Sequence, residues 1–498
     1  MRLIDNMAEK LRTGLRSFLK IEPATQNAVY IREKYDFETS AARNRIWYRG
    51  DSVEIEQFFK SVSGNRTLFW AAVPTAGLEL QKRHTGLPNI IIDTLSSIVL
   101  RDFNDITVDE RADEWETIEK ECKFADVIDD ALTETLCVGD GVFKISINTD
   151  ISAYPLIEFV PGDEVEYKYL YGRVTEIIFK SMYVHNGKTY ILKEYYGQGY
   201  ITPKLYYNDK EVPLKLVPEI ANIAPVQYDG KFIMAVPFKI FKSNKWNGRG
   251  KSIFETKSDS FDALDEVWSQ WTDALRKGRS KEYIPETFLP RNDKTGEVMK
   301  PNAFDNAFIT LEGDMKEGAS SQIELKQPTI PHESYLSTYI TALDLCLQGI
   351  ISPTTLGIDT KKLDNAEAQR EKEKTTLYTR NKIIEALENT LPELVNTIFK
   401  AYDTLNERTV KDIEATVSFG EYANPSFESQ VETVGKAKTQ GIMSTEAAVE
   451  ELYGDSKEAE WKAAEVKRIK EENGIAQVEE TAVNTELGEF GVDEHTEG

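Results

Sequence analysis

Scattered acids such as Asp93, Asp140 and Asp163 have the side-chain type that suits divalent-metal chemistry, since hard cations take carboxylate oxygens. Their spacing does nothing to bring them together, and a solvated or capping role accounts for each. Gly139-Asp140-Gly141 has the composition of an anion cradle, but a helix-to-strand turn needs the same residues, and the turn is the better reading. The four histidines, His84, His185, His332 and His495, include no two that lie close in sequence, so a local metal motif is absent. Cys122, Cys137 and Cys346 are odd in number and widely separated, which argues against a disulfide framework or a zinc site and for free, buried thiols of an intracellular protein. No G-x-x-x-x-G-K-[ST] phosphate loop, G-x-S-x-G, H-E-x-x-H or paired C-x-x-C occurs. The reading is of a chain that is not an enzyme and that needs neither metal nor cofactor.

Composition narrows the remaining classes. A chain of 498 residues with 40% hydrophobic and 10% aromatic residues can bury a large core over several domains. The net charge of −24 disfavours tight binding to phosphates, which a basic surface would provide. It is compatible with a surface that DNA slides past, and equally with plain solubility. No stretch approaches the ~20 apolar residues of a membrane helix. Residues 1–24 read as an amphipathic helix with Ile4, Met7, Leu11, Leu15 and Phe18 on one face and Asp5, Glu9, Lys10 and Arg12 interspersed, packed on protein and not on a membrane.

The elements that would position any site follow from periodicity. Residues 25–140 read as mostly helical, with the apolar run from Ile90 to Val99 and a single helical stretch from Trp115 to Cys137. From Val142 to Phe241 the composition turns to Val, Ile, Tyr and Phe between turn residues, a β meander in which Asn186-Gly187 marks a two-residue hairpin. A helix over 251–281 opens on the capping pattern Ser252 and Glu255. It carries Phe261, Leu264, Trp268, Trp271 and Leu275 at spacings of 3, 4, 3 and 4, a heptad seam. That seam serves either the core of one chain or the contact between neighbouring copies. Its early acids Asp259, Asp262, Asp265 and Glu266 and its terminal bases suit the helix dipole. Short strands and turns fill 282–331. A second helix runs over 332–350, and a loop over 351–363 precedes a long helix to about Tyr402. Pro392 should kink that helix by removing the bond to the carbonyl of Glu388. A strand is expected at Ala415–Phe419, then helices. From Phe427 onward the chain holds 18 acids and 7 bases, and after Gly474 seven acids without Lys or Arg, a tail that reads as disordered.

Two helices flanking a compact β insertion make a stalk, and here the sequence resembles a known family. Gly250-Lys251-Ser252-Ile253-Phe254-Glu255 with Asp262-Ala263-Leu264-Asp265 is similar to the start of the stem helix of the portal proteins of long-tailed bacteriophages. Ser352-Pro353-Thr354-Thr355-Leu356-Gly357, followed by Leu363 to Glu371, resembles their tunnel loop and the helix after it. Gly441 to Glu450 is similar to a helix-turn near their C-terminus, and Trp47-Tyr48-Arg49-Gly50-Asp51 to a motif near their N-terminus. These matches follow family order over nearly the whole chain.

The resemblance implies an α+β, mainly helical, ring-forming subunit, with wing (25–250, returning in 364–424 after the long helix), stem (251–281 and 332–350), clip (282–331), tunnel loop (351–363) and crown (425–473). It implies a homo-oligomer, usually a dodecamer, at one capsid vertex of the virion, assembled in the host cytoplasm. Double-stranded DNA would pass through it, weakly and non-specifically held. The implied partners are the terminase large subunit, which brings the ATPase, then head–tail adaptors, with the major capsid and scaffolding proteins around the ring. Thr354, Thr355, Asp359, Lys361 and Lys362 would line the channel. Lys361 and Lys362 either touch phosphates or balance Asp359 and Asp364. The competing classes are another ring-forming head–tail connector and a carboxylate-dependent enzyme.

Overall fold

In a computed structural model of the chain, the structure describes residues 35–62, 68–73, 80–108, 110–278, 281–285, 291–297, 308–311, 324–326, 329–358, 366–420, 427–453 and 459–472. The helix expected over 1–24 and the acidic tail lie outside these residues. The chain divides into two units, 1–420 and 421–498.

The first unit begins with α1 (Phe37–Arg49), α2 (Ser52–Val62) and α3 (Leu87–Arg101), followed by a strand β1 (Phe103–Val108), α4 (Ala112–Glu121) and α5 (Phe124–Val138). Strands β2 (Asp140–Ser146), β3 (Leu156–Pro161), β4 (Val165–Leu170), β5 (Arg173–His185), β6 (Lys188–Gly197), β7 (Tyr200–Tyr207), β8 (Lys210–Val212), β9 (Val226–Gln227) and β10 (Ala235–Lys239) make the β-rich middle. Then come α6 (Ser258–Lys277), three short strands β11 (Lys281–Pro285), β12 (Phe308–Leu311) and β13 (Glu324–Lys326), α7 (His332–Leu347), α8 (Ala366–Leu405) and β14 (Ala415–Phe419). The second unit holds α9 (Phe427–Thr439), α10 (Thr445–Tyr453) and α11 (Ala459–Glu472). Ser444 caps α10 by accepting the Ala447 N–H at 3.1 Å, and Tyr453 packs on Trp461 with ring centres 4.9 Å apart. The class is α+β, as the sequence implies.

Several expectations need correction. The helical stretch 115–137 breaks at Cys122-Lys123, where Lys123 takes a φ of 49° and starts a new helix. A strand, β1, lies in the region read as helical. It pairs antiparallel with β14, so Val108 faces Ala415 and Phe103 faces Phe419. The segment 142–241 forms two sheets: β10-β2-β3, and a larger one in which β4 to β8 follow in order and β9 joins β7. In the larger sheet His185 pairs with Lys188 across Asn186 (φ 51°) and Gly187 (φ 70°), the two-residue hairpin expected there. Helix α8 runs through Pro392. Glu388, whose carbonyl loses its donor to Pro392, is exposed.

One apolar core joins most of the first unit. It takes Trp47 from α1, Ile91, Leu95 and Val99 from α3, Leu132 and Leu136 from α5, Phe143 from β2, Phe238 from β10, and Leu391, Leu394 and Phe399 from α8. Each of these is at most 1% exposed, so each contributes about 1.5–3 kcal/mol of burial. A second, small core of Tyr190, Leu192, Leu205, Val217 and Ile220 sits on one face of the large sheet.

Candidate functional site

The segment that leads into α6 meets the rest of the chain where α5 turns into β2, the Ile253 N–H donating to the Leu136 carbonyl at 3.1 Å. Gly139 takes a φ of 124°, so Gly139-Asp140-Gly141 is the helix-to-strand turn and Asp140 opens β2. Asp140 is 2% exposed. It accepts the Gly250 N–H at 2.5 Å and forms an ion pair with Arg249 at 3.1 Å. Burial pushes its carboxyl above the usual range, with Arg249 and the Gly250 N–H opposing. Arg249 also donates to the carbonyls of Val165 and Gly162, and its guanidinium lies 3.8 Å from the centre of the Phe37 ring. Glycine is required where the segments cross, because a Cβ on Gly250 would stand 2.0 Å from the carbonyl oxygen of Gly139. Asp93 and Asp163 are engaged elsewhere, by the Tyr48 hydroxyl and by Arg45. Among the described residues no group of three His, Cys, Asp or Glu could hold a metal ion. Cys137 and Cys346 are buried free thiols and Cys122 is a half-buried one; burial pushes Cys346 up to about 12 and Cys122 up to about 11.

Helix α6 starts at Ser258, not at the expected 251. Ser252 spends its hydroxyl on the Leu136 carbonyl (3.3 Å) and the Phe254 N–H (3.1 Å), within a turn that buries Ile253 and Phe254. Helix α7 runs antiparallel to α6: Trp268 meets Tyr339 at 5.8 Å, and Trp271 stacks on Tyr335 at 6.3 Å with planes 5° apart. Lys257 closes the base of the pair by donating to the carbonyls of Leu345 (2.7 Å) and Gln348 (2.8 Å) at the C-terminus of α7. At the other end Gly278 meets Ile330 so closely that a Cβ would come within 2.4 Å of it. The strands between them form a three-stranded sheet with β11 in the centre, parallel to β12 and antiparallel to β13.

The heptad seam therefore divides. Phe261 and Leu264 are buried in this chain's own core, Phe261 between Trp47 and Phe254. Trp268 and Trp271 are half-buried against α7, while Leu275 at 49% and Leu336 at 46% remain exposed.

No family model matches this chain, and no curated protein does. Among solved structures, a chain of the virion of a native gene transfer agent particle is similar at 12% identity and a TM-score of 0.35, over 86% of this chain and 93% of that one. A chain from the neck of the native particle, computed with C12 symmetry, is similar at 11% identity and a TM-score of 0.35, over 74% and 90%. A chain from the neck of the empty particle, computed with C6 symmetry, gives 12% and 0.35, over 72% and 88%. Likenesses this slight leave function to be argued from the chain's own residues.

Of the loop residues singled out, Thr354 and Thr355 are half-buried, and Asp359, Lys361 and Lys362 lie outside the described residues. The first part of the loop is fastened to α8 by hydroxyls. Ser352 donates its N–H to Thr376 Oγ1 (2.9 Å), Thr355 and Thr376 share a hydroxyl bond (2.8 Å), and Thr379 donates to the Ile350 carbonyl (2.6 Å). Ser352 and Thr376 are 2% and 0% exposed, so these bonds have no water to fall back on. Thr376→Val, nearly isosteric, should cost about 1–3 kcal/mol in denaturant unfolding by stranding the Ser352 N–H. An unchanged midpoint would remove the fastening from the account.

Sequence reasoning also missed a buried polar stripe on α6. Asp262 accepts the N–H groups of Phe69 (2.9 Å) and Trp70 (3.1 Å). Asp265, 0% exposed, accepts from the Trp70 indole (3.0 Å) and from Thr85, and contacts His84 Nδ1 at 2.7 Å. Ser269 accepts the Arg83 N–H at 2.9 Å. The acids Asp262 and Asp265, read as complements to the helix dipole, thus hold neighbouring chain segments. Their spacing with Ser269, beside the apolar seam, was the available signal.

Proposed function

We propose that this chain is a structural subunit of a phage-like virion, the portal ring through which double-stranded DNA enters and leaves the capsid. The observation that carries this reading is the stem. An antiparallel helix pair, with α6 about 30 Å long, leads from the main core to a small separate sheet. Its aromatic ladder is half covered by its own chain, and Leu275 and Leu336 stand exposed near its tip. Copies arranged head-to-tail around a ring would cover those side chains. In this reading the dodecamer presents the β11–β13 sheet to the terminase large subunit and later to head–tail adaptors. Thr354, Thr355, Asp359, Lys361 and Lys362 face the channel, and the capsid and scaffolding proteins surround the ring. The subunit performs no catalysis, and the terminase carries the ATPase.

Native mass spectrometry tests this. The wild-type chain should assemble into closed rings without nucleotide. Leu275→Asp with Leu336→Asp should shift the population toward monomer while circular dichroism stays at the wild-type value, because neither side chain belongs to the monomer core. Monomer alone in the wild type, over a range of concentration and salt, would sink the reading.

A further inference from the structure

Residues 80–86 lie along α6 as a strap running opposite to the helix. Thr85 donates its N–H (2.9 Å) and its hydroxyl (3.0 Å) to Asp265, and His84 Nδ1 meets the other carboxylate oxygen at 2.7 Å. Further along, the Arg83 N–H donates to Ser269 at 2.9 Å, and Arg276 donates to the Gln81 side chain at 3.2 Å. The order 85, 83, 81 against 265, 269, 276 fits the geometry: eleven helical residues rise ~16 Å, and four extended ones span ~13 Å. On its other side Lys82 donates to the carbonyls of Trp70 and Ala72, both at 2.8 Å.

The strap is attached through side chains. Among the described residues no backbone-to-backbone hydrogen bond joins 80–85 to another element. Each of residues 80–86, taken whole, is half-buried or exposed, in contrast to Leu87 at 4% and Trp70 at 1% on the segments around it. Opening it would break these hydrogen bonds and uncover only the part of the core that the strap itself covers, where Leu80 packs on the main cluster and the His84 ring lies 5.6 Å from that of Trp47, which makes the opening local. The closed form also carries a strained detail: the His84 side chain is 3% exposed, and its Nε2 has no hydrogen-bond partner. Water would satisfy that atom on opening, so closure is held against a bias. At the end of the strap Gly86 has a φ of 72°, makes no side-chain cap for α3, and has nothing within 4 Å of where a Cβ would stand. Buried polar networks gain or lose their bonds together, because a half-made network strands the rest.

We propose that residues 80–86 are a latch that opens from the stem helix as one unit, hinged at Gly86, with Asp265 and Ser269 as its catch. Closed, it braces α6 to the segment leading into α3; open, it frees that side of α6 to move independently. The latch does not depend on the ring reading.

Hydrogen exchange read by mass spectrometry on the full chain tests it. In Ser269→Ala and in Asp265→Asn the amides of Arg83 and Thr85 should exchange at least about tenfold faster, while those of α3 and of the middle of α6 keep their wild-type rates. Thr85→Val, which removes one donor from the catch and leaves the backbone N–H, should give a smaller acceleration confined to the same peptide. It carries the test with Ser269→Ala if Asp265→Asn does not fold. Unchanged exchange over 80–86 in the variants that fold would overturn the latch. So would acceleration of 80–86, α3 and α6 by one common factor, which would make the stripe part of the global core.

Discussion

Gly250→Ala is expected to lower the unfolding free energy by about 3 kcal/mol or more, at the upper end of what overpacking costs. The added methyl would meet backbone, not a side chain that could swing away: the Gly139 carbonyl oxygen at 2.0 Å and its carbon at 2.6 Å. Both segments are fixed. Gly139 ends α5 at a φ that other residues rarely adopt, and residue 250 is tied by its N–H to the buried Asp140. The chain must separate α5 from the segment that leads into α6 or distort β2. Gly420→Ala is the matched control, since its Cβ would find its nearest neighbour at 3.6 Å, an ordinary contact. Urea unfolding of both variants decides: equal midpoints would mean that the crossing at Gly139 and Gly250 is not tight in solution.

Arg249→Met should have a comparable effect, and one that depends on pH. Methionine keeps an apolar stem over the Phe37 ring but leaves Asp140 buried without its counter-charge. Breaking a buried pair from one side costs about 3–5 kcal/mol. The sign of the pH dependence follows from the carboxyl. Burial already holds Asp140 above the usual carboxylate range, and Arg249 opposes that shift, so its removal raises the folded-state pKa further. Between the unfolded value of about 3.9 and that raised value, the folded variant binds more protons than the unfolded one. Its stability therefore falls as pH rises through this window and recovers as pH is lowered. The deficit relative to wild type should shrink as pH is lowered from 7 toward the unfolded carboxylate value. A residual, pH-independent part is expected from the carbonyls of Gly162 and Val165, which lose their donor. A deficit that stays constant with pH would show that Asp140 is not the charge that matters.

Local chemistry was legible in the sequence where one residue type decides the backbone. Asn186-Gly187 made a two-residue hairpin because both residues accept positive φ. Ala415–Phe419 read correctly as a strand, but its partner, β1, looked helical by context, and no local rule joins two segments so far apart. The pattern at Ser252 and Glu255 misled because a hydroxyl followed by a carboxylate serves a turn as well as a helix, and burial of Ile253 and Phe254 settled which. At the site, the spacing from Phe261 to Leu275 showed a face but not what covers it: core at Phe261 and Leu264, α7 at the tryptophans, solvent at Leu275. Asp262 and Asp265 were visible as charges, whereas the backbone N–H groups that make their burial tolerable come from residues nearly two hundred positions away.

The pairing of β1 with β14 has a consequence for how the chain is made. Among the described residues, strand β1 is joined to one partner only, and that partner is the last strand of the first unit. Arg380 adds to the closure by bonding both Asp102 and the Gly420 carbonyl. During synthesis at about 5–20 residues per second, β1 waits roughly 15–60 s before β14 has been translated. Over that time its edge is open to pairing with other chains, and only the arrival of β14 closes it.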